Sequence, residues 1–132
     1  MKQLVRAGLM AAAVGLLVLP AAPASAGQTN TPDITWKLRS ITLDGYSGNL
    51  IVKARVRCDG KGTASWTAIA VQDLRARGTA PIICDGQGRR SKIVLDPAKG
   101  RFHPGQVSMD IALVACSKDH CTVSGQSFAT TV

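Results

Sequence analysis

The sequence predicts an all-β fold: an antiparallel sandwich of about seven short strands braced by two disulfides. Three observations lead there. Apolar residues recur at every second position in several short runs, the period of a strand buried on one face. Turn residues punctuate those runs at Asp44-Gly45, Asp59-Gly60, Asp85-Gly86 and from Pro97 to Gly105, where they set chain reversals. No apolar stretch holds a 3.6-residue period long enough for a helix, and all eight acids are Asp with no Glu. Asp favours turns and caps, whereas Glu suits helix interiors.

The elements follow in order. Ile34, Trp36 and Leu38 alternate with Lys37 and Arg39 in the first strand. Leu50, Val52, Ala54, Val56 and Cys58 alternate with Ile51, Lys53, Arg55 and Arg57 in the second, and residues 44–49 are expected to join the two as a hairpin. The run 64–74 reads as buried on both faces. Its Ala content tolerates helix within 66–76, but Trp66, Thr67, Ile69 and Val71 favour strand. Shorter runs lie at 79–84 and 91–96. Val107, Met109, Ile111 and Leu113 alternate with Ser108, Asp110 and Ala112, and a last run covers 121–131. Trp36 and Trp66 sit at period-two positions and are expected in the core. Seven short strands joined by polar turns best fit an immunoglobulin-like sandwich, with an up-and-down barrel or another Greek-key sandwich as alternatives.

The first 26 residues read as an export signal. Lys2 and Arg6 give a basic start, Leu9 to Leu19 an apolar run, and Ala24-Ser25-Ala26 a small-x-small cleavage site. Cleavage is expected between Ala26 and Gly27, leaving 27–132 as one secreted domain. No later run approaches the ~20 apolar residues of a membrane-spanning helix. Without Lys2 and Arg6 the chain carries fourteen Lys and Arg against eight Asp, a formal charge of +6. Such a charge improves solubility and steers a protein toward polyanions.

Export places Cys58, Cys84, Cys116 and Cys121 in an oxidising compartment, where disulfides are the default. Four cysteines allow three pairings, and sequence alone does not choose among them. The favoured pairing is Cys58–Cys84 with Cys116–Cys121, whose loops would stabilise the fold by roughly 3.5 and 2 kcal/mol in the chain-entropy view. The rival is a metal site of Cys116, His120 and Cys121 with His103 as a fourth ligand. Adjacent His120-Cys121 matches usual zinc spacings poorly. No metal and no cofactor are expected.

The candidate functional feature is a stripe of cations. Pairing the first two strands with matched faces allows two registers: one sets Lys37 opposite Arg55 and Arg39 opposite Lys53, with Arg57 beside Thr35, and the shifted one sets Arg39 opposite Arg55. Five cations then share one exposed face, Lys37, Arg39, Lys53, Arg55 and Arg57. Like charges directly opposite cost a few tenths of a kcal/mol each. Either long side chains splay into water or an anion occupies the face. Arg89, Arg90 and Lys92 form a second basic cluster, expected in the loop after Cys84. No aromatic interleaves with the cations to stack bases, and no nucleic-acid motif is visible. The expected partner is a cell-wall polyanion or an acidic protein.

G-x-S-x-G and H-E-x-x-H are absent. Asp110 is expected to face solvent, and His103 and His120 have no nucleophile placed near them by spacing. The expectation is a non-enzymatic secreted binding module. Two alternatives stand beside it. One is a protease inhibitor presenting a loop from Arg75 to Pro81. The other is a small-molecule carrier, which would need an apolar cleft.

Cys58-Asp59-Gly60, Gln72, Ile83-Cys84-Asp85-Gly86, the alternation from Ile93 to Asp96, Gly100-Arg101-Phe102 and Pro104-Gly105 resemble a pattern of small exported actinobacterial proteins of unknown function. That resemblance implies an immunoglobulin-like sandwich and no activity. The spacing of Cys116 and Cys121 is also similar to the late disulfide of neocarzinostatin-type apoproteins, small secreted carriers of enediynes. Here the early pair spans a longer loop and the chain is basic rather than acidic, so no binding residue carries over.

Overall fold

A computed structural model describes residues 31–132; the expected signal peptide and the bond between Ala26 and Gly27 lie outside the described residues. Seven strands follow one another with no helix among the described residues: β1 (Asp33–Leu43), β2 (Leu50–Asp59), β3 (Thr63–Val71), β4 (Arg75–Ile82), β5 (Gly88–Leu95), β6 (Gln106–Cys116) and β7 (Cys121–Thr131). They form two sheets, one ordered β1-β2-β5 and the other β4-β3-β6-β7, with every pairing antiparallel. The connections β2–β3, β4–β5 and β5–β6 cross between sheets. This is the expected immunoglobulin-like sandwich. The ambiguous window 66–76 resolves into the end of β3, a turn and the start of β4.

The core follows from the alternation. Leu50, Val52, Ala54, Val56 and Cys58 on β2 are buried, while Lys53, Arg55 and Arg57 between them are exposed. Burying each Val or Leu side chain is worth about 1.5–3 kcal/mol, so this strand has one stable face assignment. β3 contributes Trp66, Ala68 and Ala70, all fully buried, and β6 contributes Val107, Met109 and Ile111. Trp66 sits at the centre. Its Nε1–H donates to Ser91 Oγ on β5 at 2.8 Å, tying the two sheets together. Its ring lies 6.1 Å from that of Trp36, with the planes tilted by 59°, within the usual range for aromatic pairs.

The two disulfides are those expected from sequence, Cys58–Cys84 and Cys116–Cys121. The first joins the end of β2 to the segment leading into β5, its neighbour in the sheet. The second links directly opposed residues of β6 and β7 and closes the turn at 117–120. At the other side of the sandwich β4 approaches β5 closely. A Cβ at Gly78 would stand 2.5 Å from Ile93 Cγ2, so only glycine fits there.

Trp66→Ala should lower the unfolding free energy in a urea titration by about 3–5 kcal/mol, the cost of emptying a central aromatic site. A matched change at the exposed Val123, to Ala, should stay within about 0.5 kcal/mol.

Candidate anion-binding face

The outer face of sheet β1-β2-β5 collects the cations. Register sets Lys37 opposite Arg55, and Arg55 opposite Arg90, giving one row across three strands. The next row runs Ser40, Lys53, Lys92. Neighbouring strands lie about 4.8 Å apart, and rows two residues apart lie about 6.8 Å apart along the strand. The expected Lys37–Arg55 and Thr35–Arg57 pairs are present. The expected Arg39–Lys53 pair is not. The register shifts between Leu38 and Ser40, so Arg39 is the extra residue of a bulge and Ser40 takes the position across from Lys53. A bulge re-aims a side chain and interrupts pairing, which removes one like-charge opposition while keeping Arg39 exposed on the same region.

The second basic cluster is corrected by the structure. Arg89, Arg90 and Lys92 lie on β5 and not in a loop. Alternation sends Arg90 and Lys92 to the cationic face. Arg89, opposite Val56, turns the other way and pairs with the Asp85 carboxylate. That guanidinium, with the Gln87 N–H second, holds the Asp85 carboxyl below its ordinary value of 3.8 and raises Arg89 in turn. Arg57 is also partly neutralised, with its Nε 3.2 Å from Asp59 Oδ2. Among the described residues no ion pair engages Lys37, Arg39, Lys53, Arg55, Arg90 or Lys92.

All of these but Lys37 surround a shallow open depression of about 520 Å³ lined by Arg39, Ser40, Lys53, Ala54, Arg55, Arg90, Ser91 and Lys92. No carboxylate lines it. A second depression of about 370 Å³ adjoins it through Arg55 and is lined also by Thr35, Lys37, Val56, Arg57 and Gly88. Gly88 has a local role, since a Cβ there would stand 3.2 Å from Arg55 Nη2. The bare glycine leaves room for the Arg55 guanidinium to lean across β5. Of the acids nearest the face in sequence, Asp33 and Asp59 sit at the ends of β1 and β2, and Asp44 and Asp96 directly follow β1 and β5.

The other candidates are placed elsewhere. The segment Arg75 to Pro81 belongs to β4 and pairs with β3 from Val71↔Arg75 to Ser65↔Pro81. It is therefore a sheet edge and not the projecting inhibitory loop considered from sequence. Asp110 is exposed on β6, as expected, and accepts a hydrogen bond from Ser127. His103 is exposed; its Nε2 lies 4.0 Å from Asp73 Oδ2, and its backbone is clamped at both N–H and C=O by the Gln72 amide. His120 is exposed in the turn closed by Cys116–Cys121. Both cysteines beside it are consumed by the disulfide, which removes the zinc set considered above, and no metal-ligating cluster occurs among the described residues. A pocket beside Trp36, lined by Ile111, Leu113, Ser124, Gly125 and Gln126, holds about 80 Å³, well under the roughly 300–1,000 Å³ of small-molecule sites.

No protein-family model matches the chain, and no curated protein does. Among solved structures it is similar to the CooA pilin subunit from enterotoxigenic Escherichia coli, at 11% identity and a TM-score of 0.37 over 74% of this chain and 98% of that chain. A likeness so distant carries nothing about function.

Asp85 has a pH consequence. Its carboxyl is depressed in the folded state, so the ion pair contributes fully above the unfolded carboxyl pKa and is lost as pH falls through the lower folded value. Thermal melts should therefore show wild type above Asp85→Asn at pH 6, with the gap narrowing as the pH drops below 3.8. A gap independent of pH would contradict the pairing.

Proposed function

We propose that this chain is a secreted, non-enzymatic binding module whose β1-β2-β5 face engages an extended polyanion bearing phosphate or sulfate groups, as wall and surface polymers do. Six cations without acidic partners among the described residues, on three adjacent strands around two adjoining open depressions, carry this reading. The disulfides support export, since such bonds persist in oxidising compartments.

The geometry favours a polymer over a small anion. A small-molecule site encloses its ligand with a few convergent groups. Here the cations are exposed and spread over rows in an open surface. Each exposed contact is weak and screened by salt. Summed along a chain of anions, the contacts gain from counterion release, and affinity then depends steeply on ionic strength. Arginine adds a planar fork that matches phosphate and sulfate oxygens two at a time. Like-charge repulsion within the empty face, a few tenths of a kcal/mol per opposed pair, is relieved when the anion arrives.

Binding to heparin and to linear polyphosphate should weaken by about 10³-fold between 50 and 200 mM salt if six contacts form. Replacing Lys53, Arg55 and Arg90 together by Ser should lower the slope of log K against log salt by about 2–3. Replacing Arg75 and Arg77 on β4 instead, which leaves the face intact, should change it much less. A triple variant with an unaltered slope would overturn the proposal.

A further inference from the structure

The sandwich has four edge strands, β1 and β5 in one sheet and β4 and β7 in the other. Three of them carry the features that discourage strand addition. β1 has Lys37, Arg39 and the bulge; β5 has Arg90 and Lys92; β4 has Arg75, Arg77 and Pro81. Charge, proline and bulges all blunt an edge. β7 has none of these. It runs for 11 residues as CTVSGQSFATT, without one charged residue or proline. It pairs with β6 from Gln106↔Thr131 to Cys116↔Cys121 with no register shift, and it is exposed on both faces from Cys121 to Ser127.

The direction of its free backbone groups follows from one pair. Gly105 and Val132 exchange both backbone hydrogen bonds, at 2.9 Å each. An antiparallel ladder alternates such pairs with pairs that do not bond to each other. The N–H and C=O groups of Val123, Gly125, Ser127, Ala129 and Thr131 are thus directed to the open side of the sheet. Among the described residues no turn or loop backbone group bonds to them.

We infer that β7 is a self-association edge, pairing antiparallel with β7 of a second copy to make a continuous eight-stranded sheet. The occupant is a second copy for three reasons. A two-fold axis through the middle of the strand brings the same straight, uncharged segment against itself, so neither partner meets an opposed charge, as an isologous contact requires. The cations of the +6 chain that form the open face lie on the other sheet, which keeps that repulsion away from the seam. An oppositely charged partner would find no charge on β7 to recognise. The assembly closes at two copies because each outer edge of the joined sheet is β4, blocked by Pro81, Arg75 and Arg77. A single strand seam stands at or under the low end of stable interfaces, about 1,200 Å² in total, so the dimer is weak and concentration-dependent.

Sedimentation equilibrium of the cleaved, disulfide-intact protein tests this from micromolar to millimolar concentration. The weight-average mass should rise from one copy toward twice that value and stop there. Over the same range the amides of Val123, Gly125, Ser127 and Ala129 should exchange more slowly with solvent. Ala129→Pro removes an outward N–H that serves no internal bond, so it should leave the protein monomeric and folded; Val123→Lys provides a second variant if the proline disturbs the strand. A wild type that stays monomeric at millimolar concentration, or an association that survives both folded variants or proceeds past two copies, would overturn the inference.

Discussion

The one-sided burial of β2 is the constraint from which the remaining architecture follows. Its five inward side chains run from Leu50 to Cys58 and are all buried. Together they outweigh, by several-fold, every unfavourable contact among the outward Lys53, Arg55 and Arg57. A slip of one residue would bury those three cations and expose the aliphatic set. The burial therefore fixes which face of β2 points inward, and the Cys58–Cys84 bond ties the end of the strand to the segment leading into β5. The cationic face is the reverse side of the core.

This linkage explains how a thin, small domain tolerates a concentrated charge. Repulsion between exposed side chains is screened and small, whereas the apolar side is dense and tied across the sheets by Trp66 Nε1–H to Ser91. The protein disposes of its acids unevenly. Asp85 and Asp59 neutralise Arg89 and Arg57 at the margin, and the middle rows are left uncompensated. Sheet β4-β3-β6-β7 has the opposite character at its β7 edge, with no charge at all. The two sheets thus present different surfaces, one electrostatic and one made of free backbone groups.

Much of this was legible in the residues. Period two located the strands and sorted in from out for β2 and β6, and the favoured disulfide pairing was the one observed. The hairpin register was legible only as one of two that keep the faces matched, and the structure adopts the one with Lys37 opposite Arg55 as far as Leu38. Beyond it the bulge at Arg39 escaped notice, because one extra residue leaves no mark in an alternation of Lys, Arg and Ser. β5 was started three residues late. Gly88-Arg89-Arg90 looks like a polar loop, yet Ser91, Ile93 and Leu95 face the core and place Arg90 and Lys92 outward by the same period. Extending the alternation backward from Leu95 would have found them. The Arg75–Pro81 segment misled because Arg, Gly and Pro mark loops in general and are also what protects an edge strand.

The most direct test of the account is a residue-resolved map of where a polyanion touches the protein. In an amide-detected NMR titration with linear polyphosphate at low salt, the account predicts shift changes concentrated at Lys53, Arg55, Arg90 and Lys92 and near absent on β3, β4 and β6. Shifts centred on that second sheet, or none at saturating polyphosphate, would contradict it.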